Sequence, residues 1–153
     1  MTSPNRLTTA RDLAVPGLGC AVLSYAVFVS VYASIPPLRA FTAAPLFALA
    51  VGELAAAGRV RAAVRHRVDA KPITAISVAR LVALAKASAL VGAGVVGAAL
   101  GALLRLVPDL GRVEAARSDS LAAALIGAAS VILVAAAWRL ERAAVDPSRA
   151  QRR

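Results

Sequence analysis

Residues 87–104 read ASALVGAGVVGAALGALL, eighteen consecutive residues without a charge. At about 1.5 Å of rise per helical residue the stretch reaches roughly 27 Å, close to the ~30 Å hydrocarbon core of a bilayer. Three more stretches resemble it. Residues 13–38 are uncharged between Asp12 and Arg39, and residues 120–138 are uncharged as well. Residues 40–58 hold only Glu53. In lipid, backbone polar groups must be satisfied within the segment, and the period-two alternation of barrel strands is missing. The reading is therefore an all-α membrane protein, a four-transmembrane-helix bundle forming one domain over 1–153. Its spans are expected at about 13–35, 40–58, 78–106 and 119–139, with a basic loop over 59–77 and a disordered tail over 143–153.

Composition agrees. Apolar residues are 59% and charged residues 17% of the 153 residues, against roughly 45–50% and about 25% in ordinary soluble chains. The mean hydropathy is +0.73. A net charge of +10 raises the question of nucleic acid. The basic residues, however, lie between the apolar runs rather than on one face, and aromatics are only 4%, too few for a base-stacking platform. Nucleic-acid binding is excluded on those grounds. The single cysteine, Cys20, can form neither an internal disulfide nor a metal cluster.

Punctuation marks the span ends. Pro36-Pro37 closes the first helix in a tight turn, Val107-Pro108-Asp109 closes the third, and Ser118-Asp119-Ser120 offers capping side chains before the fourth. The second span is the weakest, since it contains Pro45 as well as Glu53. Orientation follows from Lys and Arg. With both termini in the cytoplasm, Arg6, Arg11, Arg59, Arg61, Arg65, Arg67, Lys71, Arg80, Arg139, Arg142, Arg149, Arg152 and Arg153 lie inside. Only Arg39, Arg105, Arg112 and Arg117 lie outside, a strong positive-inside bias. The first apolar run exceeds the 7–15 residues of a signal-peptide core, so it reads as an uncleaved anchor.

Two ionisable groups fall inside spans, Glu53 and Lys86. Each is six residues from an arginine at the inner interface (Arg59 and Arg80), or roughly 9 Å deep. Because the second and third helices are joined by the inner loop, Glu53 and Lys86 are expected to form an intramembrane ion pair. A bare charge at the bilayer centre costs about 2.5–3.5 kcal/mol on insertion scales. The plainer alternative has Lys86 snorkelling to the surface and Glu53 protonated. The third helix carries Ala85, Ala89, Ala93, Gly97 and Gly101 at every fourth position, a small-residue stripe suited to close helix packing. Ala124, Ala128, Ile132 and Ala136 of the fourth helix are its expected partner face.

Arg59, Arg61, Arg65 and Arg67 continue the second helix past the membrane and, with Arg80, are expected to meet anionic headgroups, at about 1 kcal/mol per charge. Setting topology is the alternative role for them. His66 stands without Cys, His or acidic neighbours, so no metal site is expected. No Walker loop, nucleophile elbow or zinc-protease helix is present, so no enzyme, cofactor or catalytic residue is expected.

Pro72-Ile73-Thr74, followed by Ala79-Arg80-Leu81-Val82-Ala83-Leu84-Ala85-Lys86-Ala87-Ser88-Ala89, resembles the most recognisable segment of an actinobacterial membrane family known as domain of unknown function 3180. The resemblance implies a bacterial plasma-membrane, multi-pass protein with four spans, encoded near folate-pathway genes. It implies no activity. If the signature extends to them, Arg80, Lys86 and Ser88 are the positions to test. The expected function is that of an accessory or interaction protein, binding a membrane-protein partner or a second copy. The alternative is a small proton- or substrate-coupled transporter using Glu53 and Lys86. A hydrated cavity at those residues favours transport, and a sealed helix contact favours the accessory role.

Overall fold

The computed structural model describes residues 8–34, 36–64, 74–111 and 113–144. It contains four long helices: α1 (Ala10–Val31), α2 (Ala44–Val64), α3 (Ala75–Leu106) and α4 (Glu114–Ala143). All four are long and apolar enough to cross a membrane. Short 3-10 turns at Tyr32–Ser34, Ala40–Ala43 and Val107–Asp109 carry the chain around the ends of the helices.

Local chemistry explains the boundaries. Thr9 precedes α1, and its amide and hydroxyl both donate to Asp12 Oδ2, at 2.9 and 2.7 Å, half of a capping box. Pro45 is the second residue of α2, where its missing N–H has no intrahelical partner to lose. The proline that made the second span doubtful therefore costs it nothing. The fourth helix begins five residues earlier than expected. Val113 precedes it, and Asp119 lies inside it rather than capping it. Arg59 and Arg61 do extend α2 beyond its apolar run, as far as Val64. Arg65, His66, Arg67, Lys71 and the tail from 145 onward lie outside the described residues.

The helices pack in the order α1–α3–α4–α2. Among the described residues α1 and α2 do not touch, and α2 only brushes α3. Consecutive helices are thus not the principal neighbours in the first half of the chain. At the end that carries Thr8 and Ala143, a cluster of Ala57, Val60, Ala85, Ala89, Ala137 and Leu140 joins α2, α3 and α4. In the middle, Ala50 packs on Leu133 and Ala136. At the opposite end Phe28, Ala102, Leu106, Ala116 and Ala123 join α1, α3 and α4.

All five stripe residues of α3 are buried, but they do not share one neighbour. Each four-residue step advances about 40° around a helix, so Ala85 and Gly101 stand roughly 160° apart. Ala85 and Ala89 accordingly meet α2 and α4. Gly97 and Gly101 meet α1, where an added Cβ would collide with the carbonyls of Gly17 and Ala21. The expected partner face on α4 needs correction as well. Ala124, Ala128 and Ile132 are exposed, and only Ala136 is buried. The α3–α4 contact instead uses Gly92 against Val134 and Ser130, and Gly127 against Ala99.

Candidate functional site

Glu53 lies on the face of α2 turned inward, 1% exposed, between the Ala50 and Ala57 contacts. The Ser88 hydroxyl of α3 is the polar group that faces it. Neither Glu53 carboxyl oxygen makes a hydrogen bond within normal geometry. A buried carboxyl group without a made hydrogen bond is costly to keep, whichever its protonation state.

Lys86 does not pair with Glu53. Its ammonium lies 3.8 Å from Glu141 Oε1 of α4, a carboxylate only 4% exposed. The expectation failed because it assumed that helices joined by a loop must be the nearest neighbours. Here α4 is the principal neighbour of both α2 and α3, and its last turn brings the carboxylate to Lys86. Glu141 also accepts a 2.9 Å hydrogen bond from the Thr8 amide. Thr8 in turn offers its carbonyl to the Trp138 indole at 3.0 Å, and the Arg142 guanidinium stacks 4.3 Å above the Trp138 ring. The chain entering α1 is therefore fastened to the last turns of α4. Arg59, Arg61 and Arg80 are exposed.

The other end has its own fastening. Asp119, 4% exposed, accepts from the Tyr32 hydroxyl through Oδ2 and from the Leu38 amide through Oδ1, each at 2.9 Å. Burial, and next the Asp119 carboxylate, hold the Tyr32 phenol above its ordinary pKa of 10.0. Arg105 and Asp109 form an ion pair one turn apart at the end of α3.

Between these ends α1 and α4 flank α3 without meeting, which leaves a groove of about 660 Å³ lined by apolar residues of all three. A smaller cavity of about 140 Å³ lies beside Phe28, Ala98 and Ala123. Glu53 and Lys86 line neither. Among the described residues no group of three or more His, Cys, Asp or Glu is placed to hold a metal ion.

Sequence reasoning missed Glu141, Trp138 and the Tyr32–Asp119 pair. Glu141 lies just beyond the expected fourth span of 119–139, whose apolar run stops at Arg139. The tryptophan at 138, a residue type that favours the membrane–water interface, was the available signal that this level still belongs to the packed helices.

No curated protein and no solved structure matches the chain. A family profile described as "Protein of unknown function (DUF3180)" matches residues 13–147, nearly the whole helical region. With four apolar helices and a match over that length, the chain is a membrane protein that belongs to the DUF3180 family.

Proposed function

We propose that this protein is a non-enzymatic accessory or interaction subunit of a bacterial plasma membrane, with both termini in the cytoplasm. The observation that carries the reading is the open order of helices. α1 and α2 each have one main neighbour and turn glycines outward. A Cβ at Gly19, Gly52 or Gly58 would meet nothing within 4 Å. Exposed small residues on lipid-facing helices allow another helix to approach closely. The enclosed position of Glu53, packed between α2 and its neighbours, supports the same reading over transport.

The test is crosslinking and affinity capture from native membranes, with wild-type protein and with Gly52→Leu. A stoichiometric membrane partner that is lost with Gly52→Leu, while thermal stability in detergent is unchanged, supports the proposal. Capture of nothing beyond the chain itself, at native expression, overturns it.

A second reading, a proton-coupled transporter, draws on the partnerless carboxyl of Glu53. Ionisable residues inside membrane helices are functional candidates by default. If the group is only structural, Glu53→Met removes an unsatisfied polar group and should raise stability by about 1–3 kcal/mol. Loss of a proton flux in vesicles with Glu53→Gln is the result that would favour transport.

A further inference from the structure

We infer that the groove between α1 and α4 is a binding site for one anionic phospholipid, with an acyl chain along α3 and the headgroup at the Arg142–Trp138 end. The inference is independent of the accessory role. Its first support is length. Along α1 the groove runs from Ala10 to Ala21, about 17 Å of helix. That is close to half of the ~30 Å hydrocarbon core, the depth of one leaflet. A docked transmembrane helix would need a seat twice as long. Size agrees too, since about 660 Å³ falls among small-ligand sites of roughly 300–1,000 Å³. Gly17, Ala93 and Gly97 keep the floor low, and Leu18, Leu100 and Val131 make its walls apolar.

The second support is the charge at the mouth. Trp138 lines the groove, and Arg142 lies over its ring. Arg11 is exposed one residue from Ala10, and Arg139 is exposed beside Trp138. The two nearby acids are already engaged, Asp12 with Thr9 and Glu141 with Thr8 and Lys86. Lys86 balances Glu141, and the neutral donors of Thr9 leave the Asp12 charge in place. Three arginines against one carboxylate therefore keep the mouth net positive, which a phosphate would match. A zwitterionic lipid would fill the groove equally well but gain less at its rim.

The experiment is native mass spectrometry of the full chain in nanodiscs containing equal phosphatidylglycerol and phosphatidylcholine. Wild type should retain one phosphatidylglycerol in preference. Ala135→Phe, which fills the groove from an exposed position, should abolish retention, and Arg142→Gln should weaken it about five-fold, the equivalent of ~1 kcal/mol per basic residue. A photocrosslinker at position 135 should label lipid. Equal retention of both lipids, retention unaffected by Ala135→Phe, or crosslinking of position 135 to a second copy or another protein would each overturn the inference.

Discussion

At the scale of single residues, the two carboxylates that hold the helix ends together do different work. Glu141 balances Lys86 and caps the Thr8 amide. The lysine side chain is 36% exposed, so solvent and headgroups screen the pair and its strength is modest. A double-mutant cycle of Lys86→Met with Glu141→Gln should give a coupling of about 0.5–1 kcal/mol in reversible detergent unfolding. The same cycle between Lys86 and Glu53→Gln should give a value near zero, and a coupling of equal size there would restore the pairing expected from sequence. Asp119 receives two donors at once. Asp119→Ala leaves both without their acceptor and should cost about 1–3 kcal/mol, more than Tyr32→Phe, which removes one partner. Because the Tyr32 phenol titrates above 10.0 when folded, its contribution is complete below pH 10 and is lost as pH rises through the folded value. In a Tyr25→Phe background, tyrosinate absorbance should therefore appear later in the native protein than in the unfolded chain.

At the scale of elements, α3 is one of the two inner helices, and its glycines mark where a backbone comes closest. Gly97→Ala and Gly101→Ala each place a methyl group against backbone of α1, which cannot move aside as a side chain can. Each should destabilise by about 1–3 kcal/mol, through separation of α1 from α3. Gly19→Ala, on the open side of α1, should be neutral or slightly stabilising, and thermal scans in one detergent compare the three. The interhelical bond from the Ser24 hydroxyl to the Ala98 carbonyl, at 2.8 Å, fixes the same contact. The α3 stripe was legible in sequence because residue size and period are visible there. Its winding from one neighbour to another depends on the 3.6-residue turn and needed only arithmetic. The partner surface was not legible, since alanine occurs on every face of α4 and spacing cannot rank equivalent faces.

At the scale of the whole molecule, the uncharged runs and the placement of charge and proline around them made the four helices legible. Their order was hidden. Loop length makes α2 and α3 look like partners, and only packing reveals α4 between them. A cut within residues 65–73 should show this directly. The fragment from 74 onward keeps the α3–α4 contact and should be stable alone in membranes. The fragment ending at 64 contains two helices that do not touch, so it should be degraded alone and recovered on coexpression, as followed by copurification.

The same arrangement sets a timetable for biogenesis. Helix α2 is complete at Val64, while the last turn of α4 ends at Ala143, 79 residues later. At about 5–20 residues per second of synthesis, α2 waits roughly 4–16 s for its neighbour. Throughout that interval α2 lacks α4, the helix that packs against its Glu53-bearing face. The nascent chain therefore offers insertion and quality-control factors a carboxyl group in the bilayer that vanishes once the fourth helix has docked.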